Sequence, residues 1–324
     1  SLMKYKLVVL YWGSKQNKLI FTRDENKYKK SYEILSSQAR KKGLDIFFSG
    51  LYFWNGRKFK QTLYFNGKSW ISRKNISPNL VFDKISTTYS NIGKKRILER
   101  QLPILNPVIF DTICNNKFLN YLIFEEFYPK SFLVSNKKEF RDRLSHISTA
   151  KFVIKPNIGT CGEGVSILNK NELDKIKIDK DHFVLQEFID SSQGIKKIVA
   201  GVHDLRVTIV NNKISYAYIR TPAKGSLLCN IAQGGKMKNI LPKNIPKNIF
   251  LACQKIMETL GAFENLVYAV DLAVDKDRKP KLIEMNSRPG IYFYPQDEKD
   301  RDRYYSQLVD NFIDRIKKIS PANN

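Results

Sequence analysis

The apolar positions along the chain change period several times, and each change predicts an element. Residues 5–11 form an apolar run of strand length, read as a central strand buried on both faces. Residues 27–42 place Tyr28, Tyr32, Leu35 and Ala39 at helical spacing and stop at Gly43, which predicts a helix with a glycine end. Residues 44–48 read as the next strand. Residues 51–70 read as hairpin material, with Asn55-Gly56 and Asn66-Gly67 as turns. Short strands are expected at 79–83 and 103–105. Strand and helix alternating in this way favour a small α/β lobe with a mainly parallel sheet.

Near Asp111 the pattern shifts. Residues 118–127 predict a helix ended by Pro129, and 151–155 a strand that runs into a glycine-rich loop. From 183 onward strands dominate, interrupted by a helix at 249–260 that stops at Gly261. The last helix starts near Tyr304 and carries Tyr305, Leu308, Val309, Phe312, Ile313 and Ile316 as a stripe that must pack on the body. No internal repeat or low-complexity linker is visible.

Composition changes this picture in three ways. First, 324 residues with 42% hydrophobic and 12% aromatic content suit two or three compact lobes and exclude a disordered chain. Second, the longest apolar run, 7–12, falls far short of the ~20 residues that span a bilayer. It also lacks a small-residue cleavage site, and Met3 reads as the natural start, so the cytoplasm is expected. Third, Cys114, Cys161, Cys229 and Cys253, like His146, His182 and His203, are scattered. Neither a disulfide framework, a zinc site nor a catalytic histidine is expected. The net charge of +25 is spread along the chain without a run of five basic residues or a nucleic-acid-binding pattern. Nucleic acid is therefore not the expected partner. Acidic small molecules, an acidic peptide, or a compositional bias toward Lys, Asn and Ile account for the excess.

Three blocks carry chemistry. In Lys155 to Val165, Gly159, Gly162 and Gly164 follow a strand, so backbone N–H groups can cradle phosphate oxygens while Lys155 adds a positive charge. No G-K-[ST] closes the loop, so it is not a Walker A motif; a tight structural hairpin carries the same glycines. The second block is 267–286. Tyr268, Val270, Leu272 and Val274 alternate with Ala269, Asp271 and Ala273, and a four-residue turn at 276–279 places Asp271 opposite Glu284. Asn286 shares the face of Glu284, while Ile283 and Met285 point into a core with Val270 and Leu272. Opposed carboxylates on a buried-backed sheet repel unless something positive sits between them, and a hard cation with oxygen ligands is the expected occupant. A solvated acidic face is the alternative. The third block joins 183–189, a strand ending in Gln186-Glu187, to a hairpin carrying Arg206 and Arg220, whose planar forks can clamp phosphate or carboxylate.

Taken in order, K-P-x-x-G-x-x-G-x-G-V, Q-E-F-I, D-L-R-V, R(x9)N-x-x-x-G-G and D(x12)E-M-N resemble the ATP-grasp superfamily. The similarity is greatest to the glutathione-synthetase-like and ribosomal-protein glutamate-ligase branches, and it covers residues 116–290. It implies an α/β (α+β) fold in which two α+β lobes grip ATP behind a small α/β domain. The boundaries expected are 1–112, 113–185 with the glycine-rich loop, and 186–324 with the metal site. The resemblance implies that Lys117 and Lys155 contact the ATP phosphates and that 159–164 cover them. Gln186, Glu187, Phe188 and Ile189 would hold adenine through their backbone. Asp204 would lie near the nucleotide, and Asn230 would start a loop that meets the phosphates. Asp271, Glu284 and Asn286 would ligate one or two Mg²⁺ or Mn²⁺ ions. Arg206 and Arg220 fall near the reacting groups. One departure stands out: the glutamate-ligase branch has an arginine two residues before Asn230, where this chain has Leu228.

The implied activity is ATP-dependent joining of a carboxylate to an amine through an acyl phosphate, releasing ADP and phosphate. A phosphotransferase acting on a hydroxyl, or a non-catalytic nucleotide-binding module, would share the ATP residues. The expected substrates are a small-molecule or peptide carboxylate and an amine acceptor, acidic in character, with a homodimer compatible. Gly234, Gly235, Ser287, Arg288 and Gly290 are the expected substrate contacts. Arg288 either grips a carboxylate or seals its turn, and Tyr292, Phe293 and Tyr294 either line a pocket or pack in the core.

Overall fold

The computed structural model describes residues 5–11, 25–159, 164–173, 176, 182–231 and 234–319. Three sheets organise them. The first has six strands: β1 (Tyr5–Leu10), β2 (Leu44–Ser49), β3 (Phe59–Phe65), β4 (Trp70–Ile76), β5 (Leu80–Asp83) and β6 (Ile104–Leu105), in the order β4-β3-β2-β1-β5-β6. β1, β2, β5 and β6 run parallel, as the near-continuous apolar runs at 5–11 and 44–48 require of strands covered on both faces. Helix α1 (Glu25–Lys41) precedes β2, and Gly43 adopts φ +80° just past its end, where a side chain would be strained. Helix α2 (Ile92–Gln101) joins β5 to β6.

Both expected turns reverse the chain, and one of them joins two full strands. Asn66-Gly67 joins β3 to β4. Asn55-Gly56 turns in the same way: each Asn Oδ1 accepts two following backbone N–H groups, but the ladder beside Asn55 is the single antiparallel Trp54–Phe59 bridge. Further on, α3 (Val108–Asn115) leads to α4 (Lys117–Ile123), shorter than the expected 118–127 helix. Asn116 caps its start by accepting the Leu119 N–H. Phe124, Phe127 and Tyr128 then leave the helix to enter the core.

The second sheet is antiparallel, in the order β7-β10-β8-β9, from β7 (Ser131–Val134), β8 (Lys151–Pro156), β9 (Ser166–Asn169) and β10 (Phe183–Glu187), with α5 (Lys137–Leu144) against it. The strand expected over 183–189 ends at Glu187. The third sheet is also antiparallel, in the order β13-β12-β11-β14-β15: β11 (Asp204–Val210), β12 (Lys213–Thr221), β13 (Lys236–Ile240), β14 (Val267–Val274) and β15 (Pro280–Asn286). Helix α6 (Lys247–Thr259) packs on β14 and β15.

Helix α7 (Glu298–Ile319) buries the predicted stripe: Tyr305, Leu308, Val309, Phe312 and Ile316 lie in one core with Leu7, Val9 and Phe82 of the first sheet and Val210, Tyr216 and Val267 of the third. The C-terminal helix is thus the seam between the first and third sheets. Each such side chain contributes about 1.5–3 kcal/mol. Among the described residues no helix is long and apolar enough to cross a membrane.

Candidate active site

The chemistry gathers on one face of the third sheet. Its register sets Tyr218, Arg206, Asp271 and Glu284 side by side across β12, β11, β14 and β15, with Asp204 opposite Arg220 two residues away. The opposition of Asp271 and Glu284 is the one the four-residue turn predicts. Between Asp271 and Leu272 the register slips by one residue, so Leu272 faces Leu282. Ile283 is therefore not a core residue as expected. The bulge turns it to the site, and Leu282 takes the place beside Met285 in the core.

Two arginines reach the opposed carboxylates. Arg206 bonds both oxygens of Asp271, through Nε and Nη2 at 2.6 Å each, and its Nη2 lies 3.7 Å from Glu284. Arg220 bonds Asp204 through Nε and Nη2, at 2.6 and 2.8 Å, and gives a further 2.6 Å bond to Asp271. The Arg206 guanidinium lies between the two carboxylates in this arrangement. Burial raises Asp271, but Arg206 and Arg220 together hold its carboxyl down at about 2. Burial pushes Asp204 up to about 6 against the pull of Arg220. Neither Nη1 nitrogen of the two arginines has a protein partner among the described residues, so each fork keeps one open edge.

Two lysines approach from the other side. Lys155 is buried on β8, where its Nζ donates to Gln186 Oε1 at 3.0 Å and to the Ile283 carbonyl at 3.4 Å. Burial lowers it to about 8, with Glu284 opposing. Gln186 is fixed in turn by donating to Ser131 Oγ. Lys117, at the start of α4, donates to the Gly159 carbonyl at 2.7 Å, and burial lowers it too. Gly159 and Gly164 adopt φ +152° and +70°, and a Cβ on Gly164 would come within 2.8 Å of Pro156. Gly162 lies outside the described residues.

Two cavities open on this floor. The first, of about 900 Å³, lies between the second and third sheets. Val153, Val165, Ile167, Leu227, Leu228 and Ile283 make it apolar, and Lys155, Asp204 and Asp271 stand at its charged end. Leu228, the departure in the sequence, is thus part of its wall. Along its edge the Glu187 N–H is taken by the Lys130 carbonyl and the Phe188 N–H by Thr149 Oγ1. Of the four backbone positions expected to hold a base, these two donors are already in use. The Glu187 side chain is committed to Ser148.

The second cavity, of about 1540 Å³, is lined by Arg206, Arg288, Asn286, Asn239, Met237 and a wall of Tyr28, Tyr216, Tyr218, Tyr292 and Phe293. Four residues line both cavities: Lys117, Arg220, Asn230 and Glu284. Gly290 borders the second. Gly234 and Gly235 shape the loop that carries Asn230 without lining either cavity. Ser287 faces away, its Oγ on the buried Asp111. Arg288 bonds Asp111 with Nη1 and reaches Ser86 and Asn115 with Nη2, so most of its fork seals the turn. Tyr292 and Phe293 are cavity wall and Phe293 is core as well. Tyr28, on a helix some 200 residues upstream of Asn230, carried no signal for this cavity.

Among the described residues no group of three or more His, Cys, Asp or Glu side chains forms a ready metal cage. The donor set nonetheless fits Mg²⁺, which takes one or two carboxylates and completes its shell with phosphate and water. Glu284 accepts no protein hydrogen bond among the described residues, and the Asn286 Oδ1 beside it accepts only the Arg288 N–H. Asp271 fits on condition that a guanidinium moves.

A family model described as a RimK-like ATP-grasp domain matches residues 122–300. Among curated proteins, a probable alpha-L-glutamate ligase of Xanthomonas oryzae is 26% identical over 168 residues, covering 50% of this chain and 52% of that protein. One from Xylella fastidiosa is 24% identical over 168 residues, covering 50% and 51%. The chain spans about half the length of the curated relatives it matches. Among solved structures, the D-Ala:D-Ser ligase VanG of Enterococcus faecalis superposes with TM-score 0.68 at 16% identity, covering 97% of this chain and 100% of that one. D-alanine–D-alanine ligase of Bacillus anthracis complexed with ATP gives 0.62 at 15%, covering 98% of both. A RiPP-associated ATP-grasp ligase of Chryseobacterium gregarium, in complex with ADP and a leader and core peptide, gives 0.62 at 14%, covering 97% of both. At these identities the likeness is one of fold: three sheets arranged as in ATP-grasp ligases.

Proposed function

Since the chain belongs to the RimK-like ATP-grasp family, we propose that it is an ATP-dependent ligase that joins a carboxylate to an amine through an acyl phosphate. The observation that carries this reading is the junction of the two cavities at Lys117, Arg220, Asn230 and Glu284. A nucleotide in the apolar slot presents its terminal phosphate there, and an acid in the aromatic-walled cavity meets it from the other side. The acid's carboxylate attacks that phosphorus and ADP leaves; the amine then displaces phosphate. The second cavity is lined by Lys117, Arg206, Arg220 and Arg288 against the single carboxylate Glu284, a balance that suits acidic substrates.

Each residue has a task in this scheme. Lys117 and Lys155 neutralise phosphate oxygens, and Gln186 keeps Lys155 extended toward them. Among the described residues the Ile189 N–H has no protein partner, and it is the hinge donor we assign to adenine. The free Nη1 edge of Arg220 faces the charge that develops on transfer, and Asp204 and Asp271 hold it in place without reorganisation. Asn230 stands where the two cavities meet and contacts the phosphates. Asp271, Glu284 and Asn286 are the ligands we assign to one or two Mg²⁺ ions, which when bound supply Lewis-acid neutralisation of the phosphates. We also keep the three-part division at 1–112, 113–185 and 186–324, which follows the three sheets except that β10 (Phe183–Glu187) crosses the second boundary. The cytoplasm is the proposed compartment, consistent with the buried free thiols of Cys114, Cys229 and Cys253.

Hydroxylamine tests the reaction class. In the presence of ATP, Mg²⁺ and the acid, a ligase releases ADP and yields a hydroxamate, because the acyl phosphate is intercepted. ADP release onto a hydroxyl substrate with no hydroxamate would mark a phosphotransferase instead. Glu284→Gln is expected to abolish turnover with an unchanged far-UV spectrum, and wild-type activity in that variant would sink the cation assignment.

A further inference from the structure

Five side chains of alternating charge cross the floor of the two cavities: Asp204, Arg220, Asp271, Arg206 and Glu284. The two arginines are not held alike. Arg220 is 4% exposed and has two carboxylates, Asp204 and Asp271, within 2.8 Å. Arg206 is 14% exposed, lines only the second cavity, and has one close carboxylate, Asp271, with Glu284 at 3.7 Å. Arg206 therefore spans the same two carboxylates that the proposed cation would share. A guanidinium whose Nε and Nη2 take both oxygens of Asp271 leaves no lone pair there well placed for a divalent ion.

We propose that Arg206 is a place-holder for the divalent cation: it neutralises Asp271 and Glu284 in the free protein and gives them up when the cation arrives. Arg220 stays, because Asp204 holds it independently of Asp271. The released fork of Arg206 turns into the second cavity, which Arg206 already lines. There it grips the carboxylate of the acid substrate, so that acid binding depends on prior binding of the cation. This rests on the assignment of Asp271, Glu284 and Asn286 as cation ligands. Both bonds of the fork are charge-assisted, so displacing it weakens cation binding by about ten- to a hundredfold.

The experiment is a titration of the full chain with Mn²⁺, without nucleotide, reading free Mn²⁺ by electron paramagnetic resonance. Arg206→Gln is expected to bind Mn²⁺ about tenfold or more tightly than wild type, although a side chain at the site has been removed. Arg206→Lys keeps the charge but loses the two-point fork, and it is expected to share in the gain. Glu284→Gln is expected to weaken binding. Equal affinity in wild type and Arg206→Gln overturns the proposal. So does a gain in Arg206→Gln that Arg206→Lys does not share, since long-range charge alone would then explain it. Absence of Mn²⁺ binding in wild type, Arg206→Gln and Glu284→Gln alike is a different result: it removes the cation assignment itself, and the proposal with it.

Discussion

Lys155 shows how one buried charge serves function and stability in opposite directions. Burial lowers its ammonium to about 8 in the folded chain, below the roughly 10.4 of an unperturbed lysine. Between those two values the unfolded chain binds more protons, so this residue's contribution to stability rises with pH across that window. At neutral pH its charge is a cost to folding, and in the function proposed above that charge serves the ATP phosphates. Nucleotide affinity should therefore fall, on the order of tenfold, as pH goes from about 7 to about 9 and the ammonium is lost. Titration of a fluorescent ATP analogue across that range measures it, and a flat profile would remove Lys155 from the phosphate site. Lys155→Met should lose the same affinity while melting no lower than wild type at neutral pH.

At the scale of elements, the site depends on two short departures from regularity. The bulge in β15 re-aims Ile283 to the first cavity while leaving Glu284 opposite Asp271. The second is at Asn230, whose carbonyl accepts the Gly235 N–H at 3.2 Å. A Cβ on Gly235 would lie 2.4 Å from the Cys229 carbonyl oxygen and 3.1 Å from that of Asn230, backbone atoms that cannot step aside. Gly235→Ala should displace Asn230 from the cavity junction and cost on the order of a hundredfold in turnover, because misplacement near 1 Å suffices for that. Its unfolding midpoint should fall as well, because the clash falls on the backbone of the buried Cys229. Full turnover in this variant would show that the loop does not position the reacting groups.

At the scale of the molecule, two devices hold the first sheet against the site. One is the aromatic and aliphatic seam of α7, where Phe312 packs on Phe82 with ring centres 4.9 Å apart. Phe312→Ala should destabilise the chain by about 3–5 kcal/mol, read from urea unfolding. A loss under 1 kcal/mol, well below this large-to-small range, would mean that the seam can collapse around the cavity. The other is polar: Asp111 accepts from Thr87, Asn115, Ser287 and Arg288, and Asn106 bonds the Val267 backbone and the Ser287 carbonyl. These contacts join the turn after β15 to the loop after β5, so the wall of the second cavity is shared between lobes.

The sequence by itself determined the periodic features and the ordered motifs. The opposition of Asp271 and Glu284 followed from alternation and a four-residue turn. The stripe of α7 followed from helical spacing, and the parallel strands from unbroken apolar runs. These are local, because a strand's two-residue and a helix's 3.6-residue period are properties of the backbone. What the tertiary structure decided is non-local. That Arg206 and Arg220 clasp Asp271 depends on which strands become neighbours. That Arg288 seals its turn depends on Asp111, 177 residues away, and that Tyr28 walls the second cavity depends on where α1 comes to rest. The bulge at Ile283 is local in extent but not in cause, since the choice of which residue goes unpaired is made by the packing of Leu282 and Met285 in the core. Side-chain charge was legible in the chain; its partner was not, because pairing is set by three-dimensional neighbours that sequence spacing does not encode.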